Sequence, residues 1–148
     1  MTMKKIGILT FHKSINYGSV LQAWALEKIL QKQNYNVSII DYEPSVYKKQ
    51  YGLLELSNGW KSNINRLPNY FARKSQAENF AKFRKSYLHL QDSCTKGSFS
   101  KDILEKYDVI ITGSDQIWNY MHTDNMDVYF LEFAKKFKAK RISYAASI

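Results

Sequence analysis

Four short runs rich in apolar residues limit the fold of this 148-residue chain more than any other feature. They are KIGILTF at 5–11, NVSIID at 36–41, YDVIITG at 107–113 and KRISYAASI at 140–148. The first three have the length and composition of strands buried on both faces. An amphipathic helix, predicted from Ser19 to about Gln33, separates the first two runs and gives a right-handed βαβ unit. This alternation predicts an α/β domain with a parallel sheet covered on both faces.

Residues 42–100 interrupt the alternation. They contain both prolines and three of the six glycines, so we expect a mainly helical insertion rather than another strand-bearing repeat. One helix is predicted at about 76–88, where a stripe of aromatic residues favours packing, and residues 91–100 are expected to form a loop. Beyond the insertion, residues 101–106 are expected to form a short helix, SDQIWN a turn entering a helix, and DVYFLEF at 127–133 is ambiguous.

Composition excludes several classes of protein. With 45% hydrophobic and 15% aromatic residues the chain can build a core, so overall disorder is excluded. A single cysteine, Cys94, rules out an internal disulfide framework. The histidines His12, His89 and His122 are too dispersed in sequence to suggest a metal site. Neither a G-x-G-x-x-G nor a P-loop motif occurs, so we expect no nucleotide cofactor. The H-E-x-x-H motif is also absent, so we expect no metal.

The net charge of +9, from 22 basic and 13 acidic residues, favours anionic partners. No recognisable nucleic-acid-binding motif accompanies this charge, so nucleic acid is not an expected partner. No apolar run reaches the ~18–20 residues of a membrane span, and the N-terminal run is too short for a signal peptide. We therefore expect a cytoplasmic protein, and the basic surface is compatible with peripheral association with a membrane.

A doubly wound sheet places its ligand site beyond the carboxyl ends of the strands, where the strand order reverses. The strands at 5–11 and 107–113 are expected to be neighbours at that point. The loops that follow them, 12–18 and 113–119, would then flank one crevice. Both loops are rich in polar residues.

In the first loop, Gly18 directly precedes the predicted helix start at Ser19, which leaves backbone N–H groups available to an anion or a hydroxyl. Asn16 and Tyr17 offer neutral hydrogen bonds. His12 can exchange protons near neutral pH, and the alternative is a purely structural hydrogen-bonding role.

In the second loop, Gly113 permits a tight turn, and Ser114 or Asp115 could cap the next helix. Trp118 would offer a flat apolar face of the kind on which sugar rings stack. The alternative for Asp115 is a mere capping role, and for Trp118 it is a place in the core.

Three segments together resemble one family. IGILTFHKSINYGSVLQAWALEKIL contains an N-Y-G-x-x-L-Q-A signature, DVIITGSDQIWN contains G-S-D-Q-x-W-N, and ISYAAS follows as a strand. In this order and spacing they resemble the polysaccharide pyruvyl transferase family over essentially the whole chain, with residues 42–100 matching only loosely.

The resemblance implies an enzyme with two Rossmann-like lobes arranged as in GT-B glycosyltransferases. Such an enzyme transfers the pyruvyl group of phosphoenolpyruvate to a saccharide, free or lipid-linked, and forms a cyclic ketal in cell-surface glycan biosynthesis. Residues 1–148 look like the N-terminal, acceptor-facing lobe. The C-terminal lobe, where the family's phosphoenolpyruvate-binding residues mainly lie, would be absent, so this fragment alone is expected to be inactive.

The resemblance also implies roles for single residues. Asp115 is the first candidate for orienting or deprotonating an acceptor hydroxyl, and His12 is the second. Asn16, Gln116 and Asn119 would bind sugar hydroxyls, and Lys13 would meet an acceptor pyrophosphate or the donor carboxylate. Two alternatives stay open: a glycosyltransferase that uses a nucleotide sugar, and a non-catalytic Rossmann-like module that binds a phosphorylated metabolite or a partner protein.

Overall fold

A parallel sheet forms the centre of the molecule. The computed structural model describes residues 3–44, 47, 70–94, 99, 101–121, 123 and 125–148. Within these residues the strands are β1 (Lys5–Leu9), β2 (Asn36–Tyr42), β3 (Leu90–Cys94), β4 (Val109–Asp115) and β5 (Lys140–Ala146). They lie in the order β3-β2-β1-β4-β5, and every neighbouring pair is parallel. The prediction of a Rossmann-like, doubly wound α/β fold is confirmed.

Apolar side chains from the helices cover both faces of this sheet. The helices are α1 (Tyr17–Lys32), α2 (Tyr70–Tyr87), α3 (Lys101–Glu105), α4 (Met126–Tyr129) and a 3₁₀ helix (Glu132–Lys136). Successive strand residues point to opposite faces, so Ile39 packs in a cluster with Leu26 of α1 whereas Ile40 packs in one with Leu104 of α3. No helix in the described part of the chain has the length and hydropathy that a bilayer-crossing segment needs.

Helix α1 begins at Tyr17, two residues before the predicted start. The predicted cap at Ser19 is wrong, because Asn16 is the N-cap: it has extended backbone and its side chain accepts a hydrogen bond from the Ser19 backbone N–H. The Ser19 side chain is therefore released from capping and is available for a contact outside the helix.

Residues 42–100 are not a purely helical insertion. Helix α2 is present and starts at Tyr70, earlier than predicted, but the expected loop at 91–100 is wrong at its beginning, because Leu90–Cys94 forms strand β3. Its polar sequence is tolerated because β3 pairs with β2 on one side only, at the edge of the sheet. The predicted structure of residues 48–69 lies outside the described residues.

The C-terminal half also departs from the prediction in detail. Strand β4 continues two residues past Gly113 and ends at Asp115. Residues 116–121 form turns, so the helix expected directly after SDQIWN is not there. The short helix near residue 101 is confirmed, and the ambiguous segment after Asp127 contains α4 and the 3₁₀ helix. Strand β5 lies at the other edge and is exposed from Lys140 to Ala145.

Candidate functional site

The strand order reverses between β1 and β4, the place where open parallel sheets bind ligands. These two strands pair directly, with Ile8 opposite Ile111 and Leu9 opposite Thr112. The loops that follow them therefore leave the sheet side by side at its carboxyl edge. This juxtaposition was the main sequence prediction about the site, and the structure confirms it.

A chain of hydrogen bonds joins the two loops. The Ser19 hydroxyl donates to Asp115 Oδ2 at 2.5 Å, and the Ser19 backbone N–H donates to Asn16 Oδ1 at 3.3 Å. Asp115 Oδ1 accepts a hydrogen bond from the backbone N–H of Gln116 at 2.9 Å. The N-cap of α1 and the last residue of β4 are thus held in one polar cluster at the carboxyl edge of the sheet.

The backbone before Asp115 has a conformation that glycine permits. Gly113 has φ of 136°, and a Cβ there would lie 1.9 Å from the carbonyl oxygen of Tyr144 in β5. Asp115 also has positive φ, 86°, a region in which aspartate is tolerated better than most residues. Its side chain contributes to this turn by accepting from the next backbone N–H. Gly113 therefore does more than permit a tight turn: it allows β4 and β5 to approach closely.

Asp115 does not cap a helix. The residues that follow it are turns, with the Ile117 N–H bonded to the Asp115 carbonyl at 2.8 Å. The capping alternatives for Asp115 and Ser114 are therefore both wrong, because residues 116–121 do not form a helix. A half-buried carboxylate remains, held by Ser19 close to the first turn of α1. Because the first N–H groups of a helix have no partner within it, this arrangement can bind a hydroxyl oxygen and accept its proton.

His12 lies inside the protein rather than on the crevice. Its side chain is completely buried, with Nδ1 3.2 Å from the Thr10 carbonyl oxygen and Nε2 2.9 Å from Asp41 Oδ1. The expectation that His12 faces the crevice is corrected, because both ring nitrogens already have oxygen partners. This placement fits the structural hydrogen-bonding alternative.

Lys13 belongs to the same charged group. Its Nζ lies 3.0 Å from Asp41 Oδ1 and 3.6 Å from Glu43 Oε2. Burial raises the pKa of the Asp41 carboxyl, but the hydrogen bonds and charges of His12 and Lys13 outweigh it and lower that pKa to about 2. Asp41 is therefore ionised at neutral pH, and it ties the loop after β1 to the end of β2.

Arg84 of α2 adds a second cation, after Lys13, beside these carboxylates. Burial lowers the pKa of its guanidinium, while the charges of Asp41 and Glu43 raise it. Its Nη1 is buried and has no hydrogen-bond partner among the described residues. The group of Lys13, Asp41, Glu43 and Arg84 thus lies where β1 and β2 end, on the same edge of the sheet as Asp115.

The remaining predicted site residues are divided between the open surface and the core. Tyr17 and Gly18 are exposed in the first turn of α1, and Gln116 is exposed after β4. Asn119 is half-buried and accepts a hydrogen bond from the Met121 backbone N–H at 2.9 Å.

The position of Trp118 favours packing against the core over stacking with a sugar ring. Its ring packs at the border of the core, with Nε1 3.5 Å from the Tyr129 carbonyl oxygen. Phe130 stacks against it with the ring centroids 5.5 Å apart, so one of its flat faces is occupied.

Sequence reasoning missed four polar residues of this edge: Ser19 was considered only as a cap, Asp41 only as a strand end, and Glu43 and Arg84 not at all. A signal for Asp41 was present, because it ends the strand next to β1 and must share its edge. Arg84 carried no such signal, since its position depends on how α2 packs.

The chain matches one model of a known protein family. The family model described as polysaccharide pyruvyl transferase matches residues 16–148, so the match begins at the N-cap of α1 and includes the loop after β4. Neither the curated proteins nor the solved structures contained a match.

Proposed function

Because the chain belongs to the polysaccharide pyruvyl transferase family, we propose that it binds the saccharide acceptor of a reaction that transfers the pyruvyl group of phosphoenolpyruvate. The acceptor would lie in the cleft between α1 and the loop after β4. The contact between Ser19 and Asp115 carries this assignment, because it places a carboxylate beside the N-terminus of a helix at the point where the strand order reverses.

The reaction sets clear demands on such a cleft. Two acceptor hydroxyls form bonds to C2 of the pyruvyl unit, inorganic phosphate leaves that carbon, and C3 gains a proton to become a methyl group. Each hydroxyl loses its proton as its oxygen attacks, so a carboxylate within hydrogen-bond reach assists both orientation and proton removal. We assign this role to Asp115, with Ser19 fixing the position of its second oxygen.

Neutral side chains would orient the sugar. The Oδ1 atoms of Asn16 and Asn119 accept hydrogen bonds from the protein, which leaves their NH₂ groups to donate to sugar oxygens. The side-chain amide of Gln116 is exposed beside them. The first backbone N–H groups of α1, at Tyr17 and Gly18, would add donors at the positive end of the helix dipole.

The charged group at the ends of β1 and β2 is assigned a supporting role. His12 and Lys13 are both engaged with Asp41, so we place them in the scaffold that fixes the loop before Asn16. We therefore do not assign proton transfer to His12 or direct binding of a phosphate to Lys13. The donor would be bound chiefly by residues outside this cleft.

Acceptor binding and the reaction are tested separately. Residues 1–148 are titrated with mono- and oligosaccharides, and binding that weakens in Asp115→Asn and Ser19→Ala supports the assigned cleft. The natural full-length protein is then assayed for release of inorganic phosphate from phosphoenolpyruvate in the presence of a bound saccharide. Release of a nucleoside diphosphate from a nucleotide sugar, without phosphate release, would instead identify a glycosyltransferase. Saccharide binding that both variants leave unchanged would contradict the assignment.

A further inference from the structure

Basic side chains gather at the amino edge of the sheet, where the parallel strands begin, at the opposite end of β4 from Asp115. The backbone N–H of Lys140 donates to the Asp108 carbonyl at 2.9 Å, and the backbone N–H of Lys5 donates to Asp108 Oδ2 at 2.7 Å. Strands β1 and β5 flank β4, so their starts are two strand spacings apart, roughly 10 Å. The exposed cations of this edge form one basic patch, which consists of Lys4, Lys5, Lys136, Lys138, Lys140 and Arg141.

This basic patch carries an excess of positive charge. Among the described residues, none of its side chains forms an ion pair. Of the nearby carboxylates, Glu132 pairs with Lys135, and Glu105 is followed in sequence by Lys106, so lysines outside the patch offset both. Asp108 then lies among six cations. Neighbouring cations are within roughly one Debye length of each other, about 10 Å, so their potentials add.

A recess of about 380 Å³ opens beside the patch, between α3 and the segment before β5. The buried side chains of Tyr107 and Ala139 contribute to its wall, and the exposed lysines Lys136 and Lys138 lie at the same opening. Phe137, between these lysines in sequence, also lines it and is half-buried. An apolar wall beside ammonium groups suits an amphiphilic anion, because the phosphate meets the lysines while the hydrocarbon part meets the wall.

Two exposed side chains add apolar surface on the other flank of the patch. The backbone N–H of Asn36 donates to the Lys4 carbonyl at 3.0 Å, so Tyr35 and Met3 both lie next to Lys4. Met3 is 61% exposed and Tyr35 is 38% exposed. Tyrosine is enriched at membrane–water interfaces, because its ring has an apolar body and a polar tip. The cations are therefore bordered on two sides by side chains that can enter the interface of a bilayer.

The composition of the patch favours a lipid surface over nucleic acid. Five of its six cations are lysines. Lysine acts as a hydrated point charge, whereas arginine is the residue that reads bases and phosphates through paired hydrogen bonds. Clusters of about four to eight basic residues are typical of protein surfaces that bind anionic lipid headgroups, and an apolar contact strengthens such binding.

We propose that the basic patch, together with Met3, Tyr35 and the recess at Phe137, docks the protein on an anionic phospholipid bilayer. The cations provide the long-range attraction, and the apolar side chains add a short-range contact. Strand β4 has seven residues and spans roughly 20 Å, so Asp115 at its far end stays away from the lipid and open to a ligand from solvent. This docking goes beyond the proposed function and does not depend on the reaction.

The test sediments residues 1–148 with vesicles of phosphatidylcholine that contain about 30% phosphatidylserine, and with vesicles of phosphatidylcholine alone. We expect binding only to the anionic vesicles, weakened about tenfold or more between roughly 0.1 and 0.5 M NaCl. Lys138→Gln/Lys140→Gln should lower the affinity by about 30-fold. The matched control, Lys74→Gln/Lys82→Gln, removes the same charge from exposed positions of α2 and should change the affinity by less than about threefold.

A second variant tests the apolar contribution. Met3→Ser/Tyr35→Ser should lower the affinity for anionic vesicles by about tenfold and leave its salt dependence unchanged, because no charge is removed. An unchanged affinity in this variant would exclude Met3 and Tyr35 from the docking surface.

Equal binding to both vesicle compositions, no binding to the anionic vesicles, or equal losses in the two double-lysine variants would overturn the docking surface. A higher affinity for single-stranded RNA than for anionic vesicles, lost in Lys138→Gln/Lys140→Gln, would assign the patch to nucleic acid instead. Displacement from vesicles by inorganic phosphate at millimolar concentration and constant ionic strength would assign the recess to a soluble anion.

Discussion

The Ser19 hydroxyl donates a hydrogen bond to Asp115 across 96 positions of sequence and connects the first turn of α1 with the end of β4. The contact exists because Asn16, not Ser19, caps the helix. It fixes one carboxylate oxygen of Asp115.

Asp115→Asn should lower kcat/KM for pyruvyl transfer by about 100-fold or more in the natural full-length protein. Asparagine retains the size of the side chain and tolerates positive φ, but it cannot accept the proton of the acceptor hydroxyl. Phosphate release from phosphoenolpyruvate measures the loss. Urea denaturation should still show a cooperative transition, with a modest loss of stability because the contact with Ser19 is broken. Asp127→Asn, at an exposed carboxylate of α4, is the matched control. Unchanged turnover in Asp115→Asn would leave this carboxylate with only a structural role, through its hydrogen bonds with Ser19 and the Gln116 backbone N–H.

Ser19→Ala should destabilise the protein by about 1 to 2 kcal/mol, because it removes a hydrogen bond to a charged group in a partly buried position. The double variant Ser19→Ala/Asp115→Asn should lose less stability than the sum of the single variants, since both break the same contact. Urea unfolding of the four proteins gives the coupling energy. Ser86→Ala, at an exposed serine of α2, provides the background value. Strictly additive losses would mean that the contact contributes nothing in solution.

Gly113→Ala should destabilise the protein by about 2 kcal/mol or more, because alanine is strained at φ of 136° and its Cβ would meet the Tyr144 carbonyl at 1.9 Å. The urea midpoint should fall accordingly. Gly18→Ala is a suitable control: a Cβ there meets only Asn16 Oδ1 at 3.2 Å, on the exposed first turn of α1. Its stability should change by less than about 1 kcal/mol. Equal effects of the two substitutions would contradict this view of the β4–β5 approach.

Protonation of Asp41 at low pH should lower the free energy of unfolding. Its folded pKa, about 2, lies below the value of 3.8 expected without the protein environment, so the unfolded chain binds the proton more tightly. The stabilisation is therefore present above pH 4 and is lost as the pH falls through about 2. Its size at neutral pH should be roughly 1 to 2 kcal/mol once solvent screening is included.

Urea midpoints recorded between pH 2 and pH 7 test this expectation. In Asp41→Asn the protein should be less stable at pH 7, and the fall in stability below pH 4 should be smaller than in the wild type. Asp127→Asn again serves as the exposed control. A wild-type stability that does not change between pH 4 and pH 2 would show that Asp41 is not preferentially ionised in the folded state.

Residues 1–148 by themselves should bind a saccharide but release no phosphate from phosphoenolpyruvate. Transfer requires donor and acceptor to be held together, and the proposed cleft accounts only for the acceptor. The measurement is phosphate release with a saturating saccharide, compared with that of the natural full-length protein. Ketal formation by this chain alone would contradict the two-lobed architecture that the family resemblance implies.

The sequence predicted the central part of the fold well. The runs around Ile8, Ile39 and Ile111 are apolar because both of their faces are buried, and their alternation with helices determines a parallel sheet. Strand β3 was not predicted, because an edge strand that includes Gln91 and Ser93 lacks the apolar pattern of the inner strands. Its place in the sheet comes from backbone pairing with β2, which composition does not reveal.

The sequence predicted where the site lies in the fold, but not the contacts that its side chains make. Polar residues after two apolar strands indicated that Asn16 and Asp115 would lie near each other, and they do. The burial of His12 could not be predicted, because it depends on Asp41 in another strand. The same holds for Ser19, whose role changed when the helix began two residues earlier than its capping preference suggested.

The adjacency of β1 and β4 has a consequence for how the molecule folds. The backbone N–H of Lys5 and the side chain of Asp108, 103 residues apart, meet where these strands pair. Closing a chain segment of that length costs about 4 kcal/mol of entropy, so the pairing is favoured only after the flanking units have collapsed. The contact between Ser19 and Asp115, and with it the proposed acceptor cleft, therefore forms late in folding, and no peptide taken from one half of the chain can reproduce it.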